Sequence, residues 1–234
     1  GGGMAAGSAF LAMAGPIGWG IGGATLLTSI VLFATKKTRL NWKKTKEMRA
    51  VIKNTGKVKK YKMKLLSIAV PCYNSEGYMR NCIESLLPGG EEVEIIIVDD
   101  GSTKDRTAEI ADEYAAKYPT IVKAVHQENG GHGQAVNTGL KNATGLYFKV
   151  VDSDDWLDEE NYPKVLAKLA ELVHQGKAPD MMICNYIYDK QGVKHKKAVS
   201  YASAFPQDEV FTWRDVKHFR LGQYILMHSV IYRT

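Results

Sequence analysis

Charge is missing from the first 35 residues, and acid is nearly missing from residues 36–62, where Glu47 stands alone against 12 lysines and arginines. These absences place the basic character of the chain. Although the 234 residues together carry +6, the 172 from Met63 onward hold 19 basic and 24 acidic side chains, a net charge of −5. A mildly acidic body lacks the basic face that nucleic acid requires, so no nucleic acid partner is expected. Cysteine is scarce as well. Cys72, Cys82 and Cys184 form no CxxC pair, and an odd count leaves no complete set of bridges. They read as reduced thiols in a cytoplasmic setting, buried as small hydrophobes.

With no charge to interrupt it, Gly1 to Thr35 is long enough to cross a bilayer as a helix, for which roughly 20 apolar residues suffice. Pro16 and the glycines at 18, 20, 22 and 23 favour a kink, a hairpin or a re-entrant turn over a simple span. No basic segment precedes it, which argues against a secretory signal. The lysines and arginines of 36–62 would hold their end in the cytoplasm and attract anionic lipid. The expected organisation is thus an apolar, membrane-associated helical segment over 1–35, a basic linker over 36–62 and a globular domain over 63–234. The expected location is the cytoplasm, on the inner face of the cell membrane.

From Leu65 the pattern alternates. Leu65–Pro71, Val93–Val98, Ile121–His126, Leu146–Val151 and Met181–Tyr188 are short apolar runs of the kind that strands buried on both faces show. Helical spacing separates them: from Ser75, as N-cap, to about Leu87, then up to Tyr118, Gly131–Ala143, and Pro163 to about Gln175. Tyr224–Tyr232 reads as a further strand. Such alternation predicts an α/β fold with a mostly parallel sheet and helices on both faces, ligands binding at the carboxyl ends of the strands.

Polar residues gather at those ends: Pro71-Cys72-Tyr73-Asn74, Asp99-Asp100-Gly101-Ser102 and Asp152-Ser153-Asp154-Asp155. Four or five carboxylates on one sheet edge repel one another unless a cation sits among them. All-oxygen ligands suit Mg²⁺ or Mn²⁺. Taken singly, each cluster could equally be a turn or a helix cap. Between them, Asn129-Gly130-Gly131-His132-Gly133 opens a helix. Glycines there let backbone approach a ligand, and a helix N-terminus attracts anions. The spacing is not that of the dinucleotide fingerprint. His132 reads as a loop residue or phosphate contact, because no second His or Cys stands at ligand spacing.

In order and spacing, IAVPCYNSEGYMRNCIESLL, EIIIVDDGSTKDRT, NGGHGQAVNTGLKNATG and VVDSDD resemble the nucleotide-binding half of family 2 glycosyltransferases, with residues 64–160 carrying the resemblance. The resemblance implies the GT-A fold and metal-dependent, inverting transfer of a sugar from a nucleoside diphosphate, a UDP-sugar foremost, to a glycan or lipid acceptor. It implies that Pro71 and Tyr73 line the base pocket and that Asp100 accepts a hydrogen bond from the base, with Asp99 or Ser102 supporting that loop. Gly130, Gly131, Gly133 and Asn137 belong to the glycine-rich helix start facing the diphosphate. Asp152 and Asp154 fit the DXD motif, Asp154 as the ligand of Mn²⁺ or Mg²⁺ and Asp152 on the ribose or sugar side and at the metal, with Asp155 behind them.

Two departures stand out. Where the family often has Arg just before the Asn of the glycine-rich helix, this chain has Val136, which leaves metal, backbone and Lys149 or His132 to neutralise phosphate. The family's catalytic base lies well after the DXD motif. Here Asp208, Glu209 and Asp215 fall in a stretch that reads as a loop and an amphipathic helix, so the base is expected beyond Thr234. A donor-binding module without turnover is the alternative that this leaves open. A nucleotidyltransferase fits less well, because its glycine- and basic-rich loop should directly follow the first strand.

Overall fold

The computed structural model describes residues 63–189 and 197–234, together with the backbone of two short strands, β1 (Gly7–Phe10) and β2 (Val31–Phe33). Apart from those two strands, the apolar segment and basic linker expected over 1–62 lie outside the described residues. No helix among the described residues is long and apolar enough to cross a membrane.

The body is built on β3 (Leu66–Cys72) and β4 (Val93–Asp99), which pair in parallel over their whole length. All seven residues of β3 are buried, as the unbroken apolar run predicts for a strand covered on both faces. β5 (Val122–His126) extends the sheet in parallel beyond β4, and β6 (Tyr147–Val150) does so beyond β3. The short strands β7 (Trp156–Leu157), β9 (Tyr186–Asp189) and β10 (Lys197–Val199) belong to a smaller sheet with β1. On the far side of β6 the sheet turns antiparallel. β12 (Val230–Arg233) runs against both β6 and β8 (Met181–Ile183), and β2 and β11 (Glu209–Phe211) complete the order β11-β2-β8-β12-β6-β3-β4-β5.

Alternation along β3 and β4 divides the core between the two faces. Leu66, Ile68, Val70, Val93, Ile95 and Ile97 face α1 (Met79–Leu86), α2 (Thr107–Lys117) and α4 (Tyr162–His174). Ala69, Ile96 and Val98 belong to two smaller clusters that include Ala135 and Val136 of α3 (His132–Asn142). Each fully buried aliphatic side chain contributes roughly 1.5–3 kcal/mol relative to exposure, so these two strands stabilise the fold from both faces of the sheet. In α1 the buried positions Met79, Cys82, Ile83 and Leu86 follow the three-and-four spacing of a helix packed on one face. Helix α3 sits close against the sheet at Gly139, where an added Cβ would meet the Ala69 Cβ at 2.4 Å.

Four expectations need correction. Helix α1 begins at Met79, not at Ser75, whose hydroxyl instead receives the Tyr73 amide at 3.1 Å. The run Met181–Tyr188 is two strands, interrupted at Cys184-Asn185, where the buried Asn185 side chain accepts the Tyr201 amide. Only Val230–Arg233 of the C-terminal run is strand, and Met227–Ser229 forms a single 3₁₀ turn ahead of it. The stretch after Asp208 holds β11 and one 3₁₀ turn, Trp213–Asp215, rather than an amphipathic helix.

Candidate active site

The carboxyl ends of β3, β4 and β6 meet at a cleft of about 560 Å³ lined in part by Tyr73, Asp100, Gly131, His132, Asp152 and Asp154. Pro71, Cys72 and Ser153 also line it. Tyr73 is 49% exposed there, an aromatic face open to the cleft where the chain leaves a wholly buried strand. Asn74 adopts φ +50°, a left-handed conformation that Asn tolerates better than most residues. Its Oδ1 accepts the Thr103 and Lys104 amides while its own N–H donates to Ser102 Oγ at 2.9 Å. Asn74 thus ties the loop after β3 to the loop after β4.

Asp99 and Asp100 are both buried, and neither is spare. Asp99 Oδ1 accepts the Ser102 amide at 3.0 Å, and its Oδ2 lies 3.0 Å from His126 Nδ1. Asp99 and Ser102 therefore shape this loop together. Asp100 accepts the Gly130 amide at 2.9 Å, the Gly131 amide at 2.8 Å and Gln127 Nε2 at 2.6 Å. Burial pushes its carboxyl up, but these three donors prevail and leave it below the ordinary carboxylate value. The glycines are required by this arrangement. Gly101 has φ +70° and faces the Asn129 amide, which an added Cβ would approach to 2.8 Å, and Gly131 turns into α3 at φ +84°. Gly133 and Asn137 lie on α3 itself, in its first two turns.

The loop after β6 supplies the acidic wall. Ser153 Oγ bonds Ser75 Oγ at 2.9 Å, and the Asp155 amide donates to the Asp152 carbonyl at 2.9 Å, closing a tight turn. Asp152 Oδ1 lies 2.9 Å from His132 Nε2, so the acidic turn and the glycine-rich loop touch through side chains. Asp155, with a side chain only 2% exposed, lies 3.0 Å from His228 Nδ1, and Asp152 Oδ2 is 4.0 Å from the same atom. Burial and the neighbouring charges of Asp155 and Asp152 push the Asp154 carboxyl above its ordinary value. The hydrogen bond that Asp155 accepts from it raises the His228 imidazole in turn, against its partial burial.

Asp152, Asp155 and His228 each offer one ligand atom, and these atoms all lie within 4.8 Å of one another. Two carboxylates and an imidazole suit a divalent cation of the Mn²⁺ class, and a cation there would relieve the crowding of negative charge that raises Asp154. The sequence pointed to Asp154 and Asp152 for this role. Asp154 lines the cleft, whereas Asp155 and His228 join Asp152 in the cluster. His228 escaped the sequence reading because it sits inside an apolar run. Its only signal was being the one ring nitrogen base in Tyr224–Tyr232. Lys149 does not face the cleft. It is 2% exposed, and its ammonium donates to the His228 carbonyl at 2.7 Å and reaches the Val230 carbonyl at 3.5 Å. Burial lowers it to about 7, with Cys184, Asp155 and Asp152 opposing the shift.

Asp215 is committed elsewhere, accepting the Thr212 amide and hydroxyl in a capping box. Asp208, Glu209 and Asp215 are absent from the residues lining the cleft. The three thiols are buried, with burial as the largest cause raising each of them, so they pack as hydrophobes.

The chain is similar to the putative glycosyltransferase EpsH of Bacillus subtilis, at 42% identity over 122 residues, which is 52% of this chain and 33% of EpsH. It is similar to the uncharacterized glycosyltransferase EpsJ of the same organism at 44% identity, over 43% of this chain and 29% of EpsJ. Among solved structures, S. aureus TarS is similar at 36% identity over 46% of this chain and 20% of that one, with a TM-score of 0.41. The matched part of the chain thus spans about a third of the length of EpsH and EpsJ. The sequence profile of glycosyl transferase family 2 matches residues 67–233, from the first strand of the body to the last, and the chain belongs to that family.

Proposed function

We propose that this chain forms the donor-binding domain of an inverting glycosyltransferase that moves a sugar from a nucleoside diphosphate, a UDP-sugar foremost, to a glycan or lipid acceptor. The observation that carries the reading is the contact between two anion-handling structures. Asp152, Asp155 and His228 gather ligand atoms within 4.8 Å of one another, and His132, at the start of the glycine-rich helix, reaches Asp152 across 2.9 Å. In this reading Asp152, Asp155 and His228 hold Mn²⁺ or Mg²⁺, with Asp154 beside them. Pro71 and Tyr73 flank the base. Asp100, by fixing the Gly130 and Gly131 amides, sets the loop that faces the diphosphate. When bound, the cation supplies Lewis-acid neutralisation of the departing diphosphate. The protein's own part is to place the positive end of α3, on a loop that Asp100 holds in shape, where that charge develops.

Calorimetry checks the reading. UDP should bind with Mn²⁺ present and much more weakly with chelator. Equal affinity under both conditions would sink the cation assignment.

Binding without turnover is the second reading. It is favoured by the position of Asp208, Glu209 and Asp215 away from the cleft lining. A positioned base contributes typically 10²–10⁴-fold to the rate. On this reading the chain binds donor yet transfers sugar far below about 1 per second, the low end of ordinary turnover. Transfer to any acceptor at an ordinary rate would dismiss it. We place the domain on the cytoplasmic face of a membrane, held there by residues 1–62. Sedimentation of the full chain with anionic vesicles, compared with a chain starting at Met63, tests that placement.

A further inference from the structure

A lysine inside a strand is costly. Lys149 is the third residue of β6, and its neighbours Phe148 and Val150 are as buried as it is. Methionine would fill much the same space without taking an ammonium out of water, so packing gives no reason for a charge here. The reason lies in what the ammonium touches. Strand β6 leads directly into the acidic turn that carries Asp152 and Asp155, and Lys149 reaches across to the carbonyls of His228 and Val230. Between those carbonyls runs the junction of the Met227–Ser229 turn with β12. One side chain therefore links the strand that ends in the two carboxylates to the backbone of the residue that supplies the imidazole. Ser229, wholly buried, fastens the same turn from the other side, its hydroxyl donating to the Leu226 carbonyl at 2.7 Å.

We infer that Lys149 is a positioning residue for cation binding: by holding the His228 carbonyl it fixes the turn that aims the His228 imidazole at Asp155 and Asp152. The inference rests on the reading of Asp152, Asp155 and His228 as the cation site. Its logic is that of residues that orient a metal ligand, whose loss typically costs 10–100-fold in metal affinity.

The test is a double-mutant cycle on the full chain with Mn²⁺ alone as probe, followed by the decline of the free-ion spin-resonance signal. The four proteins are wild type, Lys149→Met, His228→Ala and the double variant. Lys149→Met should weaken Mn²⁺ about 10–100-fold, while UDP affinity measured in chelator stays within about twofold of wild type. In the His228→Ala background the lysine substitution should cost nothing further, because there is no imidazole left to aim. Wild-type Mn²⁺ affinity in Lys149→Met would overturn the inference. So would losses that multiply across the cycle, since they would make Lys149 a packing residue that acts independently of His228. Failure of the wild-type protein to bind Mn²⁺ would instead overturn the cation reading itself. If Lys149→Met does not fold, Lys149→Gln, which keeps an N–H donor on a shorter stem, replaces it in the same cycle with the same expected non-additivity.

Discussion

Asp155 and His228 meet at 3.0 Å although one follows β6 and the other precedes β12. Their meeting depends on the antiparallel pairing of those two strands, with Tyr232 opposite Phe148 and Arg233 opposite Tyr147. The cluster is therefore a product of sheet register. A slip of one residue would turn every side chain of β12 to the other face.

Removing either partner should abolish the effect of Mn²⁺ on UDP binding. Asp155→Ala or His228→Ala is expected to reduce the Mn²⁺-dependent gain by at least about 10–100-fold, taking the cost of losing a supporting group as the lower bound. Asp208→Ala, away from the cleft lining, should leave it unchanged. Calorimetry of UDP in Mn²⁺ and in chelator distinguishes the outcomes.

Acid should loosen the glycine-rich loop. The folded-state carboxyls of Asp100 and Asp105 lie below their ordinary value, for Asp105 because bonds from Thr107 and Glu76 outweigh burial. A lowered carboxyl stabilises the fold above its unfolded pKa of about 3.9. That contribution is lost as pH falls through the lower, folded value. Asp100→Asn should flatten the fall in stability below about pH 4, as read from urea midpoints across pH. An unchanged slope would show that Asp100 carries none of it.

Gly139 should tolerate no larger side chain. Its missing Cβ gives α3 its close seat over Ala69. Gly139→Val is expected to destabilise the domain by about 1–3 kcal/mol, as overpacked cores usually do. Chemical denaturation measures this, and a neutral result would mean that the helix can lift away from the sheet freely.

Removal of residues 1–62 should leave a cooperatively folding domain. Every residue of the described core clusters lies after Met63. Aggregation or loss of a single sharp thermal transition in the shortened chain would show that the domain depends on the pairing of β1 and β2 within its sheets.

Much of this was legible beforehand, for a physical reason. A strand buried on both faces must be apolar throughout, so β3 and β4 announced themselves, and the polar clusters that ended them marked one sheet edge. The glycine-rich start of α3 was legible too, because three glycines in four residues mark a backbone kept bare, and Gly131 there takes a left-handed φ of +84°. What stayed hidden depended on pairing across long separations. His228 gained its meaning from β12 lying beside β6, and Lys149 looked like a phosphate contact because sequence shows a charge without showing which face it takes. Ser75 looked like a helix cap, yet its hydroxyl was drawn into the contact with Ser153.

The strand order carries a consequence for how the chain is made. β12 comes last among the described strands but lies inside the sheet, between β8 and β6. While synthesis proceeds from the N-terminus, β6 can pair with β3 long before β12 exists, and its other edge stays open. Until residues 230–233 emerge, that edge presents unpaired N–H and C=O groups to any neighbouring strand. Pairing between nascent copies is the hazard of this interval, and it is greatest where translation pauses within residues 151–229. The same late step completes the site, since His228 arrives only two residues ahead of the strand that seats it.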